Sequence, residues 1–224
     1  MRVEAVIFDL DNTLINRKLA FRNYTRSFIE QFINVSGEEQ IENIMEYIRI
    51  ADLDGYRDRK DLFEYLRVNC ELKKSNTNLD ELLGHWFSEF FKCTILMDGT
   101  MDLLNNISAH NIKLGLITNG SVFTQNAKID QVGIRRFFDT IIISDEVKVK
   151  KPDAAIFMIA LDLLQTKAEH SWYIGDHPLN DVKGARDAGL NAVWFRGFIE
   201  WDQNIKVSKY IIDKLCELEE IIFQ

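Results

Sequence analysis

Four short clusters in the 224-residue chain combine residue types that do chemistry. Asp9-Leu10-Asp11-Asn12-Thr13 places two carboxylates two residues apart, and on an extended chain that spacing projects both to the same side. Taken alone, the simpler reading is a turn or helix cap, a common task for Asp, Asn and Thr. Thr118-Asn119-Gly120-Ser121 also reads as a turn and N-cap, while its hydroxyls and backbone N–H groups at a helix start suit an anionic oxygen. In Lys150-Lys151-Pro152-Asp153 the proline sits naturally at a helix start, and a solvated lysine is the ordinary explanation of the pair. Gly175-Asp176-His177-Pro178-Leu179-Asn180-Asp181 is harder to explain blandly. Two carboxylates near one helix N-terminus are costly unless something positive binds. A hard divalent cation such as Mg²⁺, which takes one or two carboxylates plus water and phosphate oxygens, is the cheapest remedy.

Each cluster follows an apolar, β-rich run. Val3 to Phe8 reads as a strand buried on both faces, and similar runs cover Lys113 to Ile117, Thr140 to Ile143, Ser171 to Ile174 and Asn191 to Phe195. Stretches of helical period separate them, so the expected fold class is α/β, a doubly wound, Rossmann-like parallel sheet. All four clusters then fall on one edge of one sheet, the edge at which open α/β folds bind ligands.

Between Ile15 and about Leu96 the pattern changes to helical spacing, as in Phe21-Tyr24-Phe28-Ile29-Phe32 and Ile41-Ile44-Met45-Ile48. Helices also follow Asp58-Arg59 and the polar stretch Ser75 to Asn78. The expected organisation is a core of residues 1–15 and 97–224 with a four-helix cap of residues 16–96 over the carboxyl edge of the sheet. The aromatic stripes of the cap read as helix core. Asn16, Arg17 and Tyr24 stand near the junction, where surface solvation explains each as well as substrate contact does.

A net charge of −8 argues against nucleic acid or an anionic membrane as main partner. The N-terminal apolar run is too short for a signal peptide or a membrane span. Cys70, Cys93 and Cys216 form no CxxC pair, which fits inert thiols in a reducing, cytoplasmic setting.

The ordered set DxDxT, strand-Thr-Asn, Lys-Pro-Asp and GDxxxND, from Asp9 to Asp181, resembles the four motifs of the haloacid dehalogenase superfamily. The resemblance implies a Mg²⁺-dependent enzyme with Asp9 as nucleophile and Asp11 as general acid and then base. It implies metal ligands at Asp9, Asp176 and Asp11, the last through its backbone carbonyl. Thr118, Asn119 and Lys151 would hold the substrate phosphate, and Asp181 would hold metal-bound water or Lys151. The haloacid dehalogenases themselves lack an acid two residues after the nucleophile, so Asp11 argues for a phosphate ester. The position of the cap resembles that of phosphoglycolate phosphatases and pyrimidine nucleotidases. The implied function is a phosphomonoester hydrolase acting on a small cytosolic metabolite, a nucleoside monophosphate or a sugar phosphate. A phosphotransferase or mutase, or a binding protein with a vestigial site, are the alternatives. Two departures stand out: Met97-Asp98-Gly99 lacks the proline that relatives commonly place before Gly, and Lys148 stands where many have Gly. His177 lies beside the site, and the resemblance gives it no role.

Overall fold

The computed structural model of the chain describes residues 3–223, and its first strand explains why the opening apolar run is continuous rather than alternating. In β1 (Ala5–Phe8), Val6 and Phe8 enter one hydrophobic cluster while Ala5 and Ile7 enter another on the opposite face. A strand covered on both sides needs apolar residues at every position.

Five more strands join β1 among the described residues: β2 (Lys113–Thr118), β3 (Thr140–Ile143), β4 (Ser171–Gly175), β5 (Asn191–Phe195) and β6 (Tyr210–Ile212). The order is β3-β2-β1-β4-β5-β6, and every pairing is parallel. This is the expected doubly wound α/β sheet, with one edge strand, β6, added. Phe8 is in register with Leu116 of β2 and Ile174 of β4, so the residues after these strands leave the sheet at the same edge.

The chain divides into two compact units, Met1–Asn16 with Leu96–Gln224, and Arg17–Ile95. The second holds α1 (Arg17–Phe32), α2 (Glu38–Asp52), α3 (Arg59–Asn69) and α4 (Leu79–Glu89). Its core is the aromatic set anticipated from helical spacing, Phe21, Tyr24, Phe28 and Phe32 of α1 against Phe63 and Trp86. The expected start signals are real caps: Asp58 accepts from Lys60 N and Asp61 N, and Asn78 accepts from Glu81 N. Arg17 is not solvated but pairs at 3.1 Å with buried Asp52, which Arg59 also meets at 2.5 Å. Tyr24 is core, its hydroxyl 3.1 Å from His85 Nδ1.

In the sheet unit, α5 (Thr100–Ala109) and α6 (Val122–Gln131) cover one face through Leu103, Leu104, Ile107 and Ile129. The short α7 (Ser144–Val147) follows β3; its C-cap, Lys148, has φ 59°, the left-handed conformation that favours glycine. On the other face α8 (Ala154–Leu164) buries Ile156, Phe157, Ala160, Leu161 and Leu164, and α9 (Gly184–Asp187) adds Ala185. α10 (Leu218–Ile222) returns to the first face. Among the described residues no helix is long and apolar enough to cross a membrane.

Candidate active site

Asp9 begins where β1 ends, its N–H continuing the ladder to Ile174 O at 2.9 Å. Its carboxylate accepts from Lys151 Nζ at 2.6 Å and from Thr13 Oγ1 at 3.1 Å. The Lys151 ammonium is 4% exposed and spends its three donors inside the protein, on Asp9, on Asp181 Oδ1 at 2.7 Å and on Tyr173 Oη at 2.9 Å. The solvated-lysine reading therefore fails for Lys151. Burial would pull this ammonium down, but Asp181 and Asp9 outweigh it and hold its pKa well above the ordinary lysine value. Asn119 fixes the backbone that carries it: its Oδ1 accepts from Lys151 N at 3.0 Å and its Nδ2 donates to Lys151 O at 3.1 Å. Its side chain is thus occupied by the lysine loop.

Asp176 follows β4 and is buried, yet its Oδ2 has no hydrogen-bond partner. An orphaned carboxylate oxygen in a dry site is costly. Oxygens of Asp9, Asp176 and Asp181 lie within 4.8 Å of one another. Burial first, then the neighbouring carboxylates, push Asp176 well above the usual carboxylate range, and burial raises Asp9 to about 7 despite Lys151. Among the described residues, Asp9, Asp11, Asp176 and Asp181 pair or cluster with two buried ammonium groups, Lys128 and Lys151, a formal surplus of two negative charges within this set. All-oxygen donors, a surplus of two and an unpartnered oxygen fit a hard divalent cation such as Mg²⁺.

Asp181 is held for its task by shape as well as charge. Its Oδ2 accepts from His177 N at 2.9 Å, and Tyr173 donates to its Oδ1 at 3.1 Å. A Cβ on Gly175 would fall 2.3 Å from Asp181 Cγ, so only glycine leaves room for this carboxylate. Asp181 begins no ordinary α-helix. It lies in a π-helical turn, Pro178–Lys183, whose first N–H groups, those of Leu179 and Asn180, donate to His177 Nδ1. His177 is therefore a cap that works as a neutral acceptor.

The chain after Asp9 is not extended, which corrects the geometric premise for the first cluster. Leu10 O accepts from the N–H groups of Thr13, Leu14 and Ile15, so the backbone turns, and Asp9 and Asp11 point to different partners. The Asp11 carboxylate meets Lys128 Nζ at 2.8 and 2.9 Å and Gln125 Nε2 at 2.9 Å. Gln125 Nε2 also donates to Thr118 Oγ1, the last residue of β2. With its lone pair so engaged, the Thr118 hydroxyl keeps its proton for another acceptor. In the second cluster the capping reading holds, with Ser121 as the N-cap of α6; in the third, Asp153 rather than Pro152 stands at the start of α8, and the proline lies one residue before the cap.

Gln125, Lys128 and Tyr173 are site residues that motif reading passes over. Gln125 and Lys128 stand three apart on α6, a spacing that signals only a shared face. Tyr173 lies within an apolar strand, where an aromatic reads as core.

A parallel sheet that gathers Asp9, Lys151 and Asp176 at its carboxyl edge is the arrangement expected of a hydrolase of the haloacid dehalogenase type. Residues 6–195 match the model of the haloacid dehalogenase-like hydrolase family, and the chain belongs to it. It is 28% identical to a glyceraldehyde 3-phosphate phosphatase of Methanocaldococcus jannaschii, over 98% of this chain and 97% of that one. It is 24% identical to the pyrimidine 5′-nucleotidase YjjG of Escherichia coli, over 99% of both. The magnesium-bound structure of YfnB from Bacillus subtilis superposes with a TM-score of 0.72 at 25% identity, covering 99% of each chain.

Proposed function

We propose that the chain is a Mg²⁺-dependent phosphatase that hydrolyses a small phosphate monoester through a phosphoryl group carried on Asp9. The observation that supports this most is the buried Asp9 carboxylate, oriented by Lys151 and Thr13 beside the unpartnered oxygen of Asp176. A carboxylate in that setting is a preorganised nucleophile whose charge is balanced before the substrate arrives.

In this reading an Asp9 oxygen attacks phosphorus in line as the ester P–O bond breaks, and Asp11 gives a proton to the departing oxygen. Asp11 then takes a proton from water, the water oxygen bonds to phosphorus, and the Asp9 carboxylate is released with inorganic phosphate. Thr118 donates its hydroxyl proton to a phosphoryl oxygen, and Lys151 balances the charge shared by Asp9 and that group. Asp9, Asp176 and the main-chain carbonyl of Asp11 would hold Mg²⁺, which would supply neutralisation of charge on the phosphoryl oxygens. Asp181 keeps Lys151 in place.

The named activities of the relatives support a sugar phosphate or nucleoside monophosphate as substrate. A cytoplasmic setting is supported by three free cysteines, Cys70, Cys93 and Cys216. The cap role of Arg17–Ile95 belongs to the same proposal. The test is phosphate release from a panel of metabolite esters, with and without Mg²⁺, with Asp9→Asn as control. Release that requires both Mg²⁺ and Asp9 is expected. Release that survives Asp9→Asn contradicts the reading, and transfer of the phosphoryl group to a second substrate instead of water identifies a transferase.

A further inference from the structure

The structure assigns Gln125 and Lys128 of α6 as positioning residues that aim Asp11, an inference that rests on the proposed phosphatase reading. Both residues are buried, at 2% and 4% exposure, on a helix whose other polar residues are exposed (Asp130, Gln131) or half-buried (Thr124, Asn126). Burying an ammonium group costs several kcal/mol unless it is paired, so Lys128 needs a partner in this place. It meets both oxygens of Asp11, at 2.8 and 2.9 Å, across 117 residues of sequence. Gln125 approaches the same carboxylate from one turn earlier, and its amide nitrogen spans from Asp11 Oδ2 to Thr118 Oγ1. The amide nitrogen of Gln125 faces Asp11 Oδ2, an oxygen that still accepts when the other oxygen of the carboxyl carries a proton.

The route of Gln125 is itself built. Gly120 has φ 145°, and a Cβ there would lie 3.0 Å from Gln125 Cγ and Cδ, so the side chain runs over a glycine that leaves it space. Ser121 caps the helix and fixes where its first turn begins. Thus α6 fixes two ends of the reaction with one device. It orients the hydroxyl proposed to hold the phosphoryl group, and it clamps the side chain proposed to transfer the proton.

The consequence is specific to the leaving group. A residue that acts by aiming Asp11 matters when the departing oxygen needs a proton and matters little when it does not. The experiment measures kcat/KM, which reports steps up to leaving-group departure, for an alkyl phosphate and for 4-nitrophenyl phosphate. Lys128→Met is expected to lower the alkyl value by about 10²-fold, the usual scale of general acid catalysis, and the nitrophenyl value by less than about threefold. Lys128→Arg should restore part of the alkyl activity, and Gln125→Ala should repeat the pattern more weakly. Adding Lys128→Met to Asp11→Asn should cost nothing further, because a residue acting through Asp11 has nothing left to aim. Equal losses on both esters in a folded Lys128→Met, or a further loss in the Asp11→Asn background, overturn the assignment. Asp9→Asn separates the two levels: if it leaves release from both esters intact, the phosphatase reading itself is what fails.

Discussion

Lys151 Nζ donates to Asp9 Oδ1 across 2.6 Å although the residues stand 142 positions apart, a contact that only the tertiary fold brings together. The pair is buried with Asp181 as a third member, and removing the cation leaves two carboxylates facing each other. Lys151→Met should therefore cost about 3–5 kcal/mol in urea unfolding and abolish turnover. A variant of wild-type stability would show that the network does not bear on the fold.

Asp176 carries the opposite expectation. Its Oδ2 is buried without a partner, and burial and neighbouring carboxylates oppose its charge, so Asp176→Asn should raise the Tm in chelator-treated buffer. Wild-type protein should gain about 2–3 kcal/mol at a hundredfold excess of Mg²⁺ over Kd, and the variant should not. A Mg²⁺-dependent Tm rise that survives in Asp176→Asn would remove this residue from the metal site.

Gly175→Ala tests shape alone. A methyl group 2.3 Å from Asp181 Cγ must displace that carboxylate and with it one of the three partners of Lys151. A stability loss of about 1–3 kcal/mol is expected by overpacking, with activity down about a hundredfold through misplacement of the lysine. Full activity would mean that Asp181 does not position Lys151.

In the helical unit, burial lowers the pKa of His85 from its ordinary 6.5, with Glu89 opposing and Lys92 adding to the shift. The unfolded chain then binds the proton first as pH falls. Stability should decline below about pH 6.5, until the lowered folded pKa is passed. A thermal melt series should show this slope in the wild type and a flatter one in His85→Asn. Equal slopes would assign the pH dependence elsewhere.

What the sequence made legible was whatever a strand and its following loop determine locally. Asp9, Thr118 and Asp176 each follow or close an apolar β run, and a parallel sheet necessarily gathers such residues at one edge. The aromatic spacing of α1 foretold its core in the same way. Directions set by tertiary contact were not legible. Alternation placed Asp11 beside Asp9, but the turn closed on Leu10 O sent it toward α6. Lys128 looks like any helix-surface lysine until Asp11 approaches it. Strand β6 was missed because three edge residues, Tyr210–Ile212, bury only Ile212 fully and carry no periodic signal. Lys151 and Lys150 are indistinguishable by type, and the resemblance chose between them; in the fold one is buried and the other exposed.

The most direct test of the central claim is to mix enzyme, Mg²⁺ and a turned-over ester, quench in acid within the first turnovers, and measure the mass of the peptide containing Asp9. The account predicts a gain of one phosphoryl group on Asp9, absent in Asp9→Asn and longer-lived in Asp11→Asn, which lacks the base for hydrolysis. An unmodified Asp9 peptide in an enzyme actively releasing phosphate, or a phosphoryl group on another residue, would contradict it.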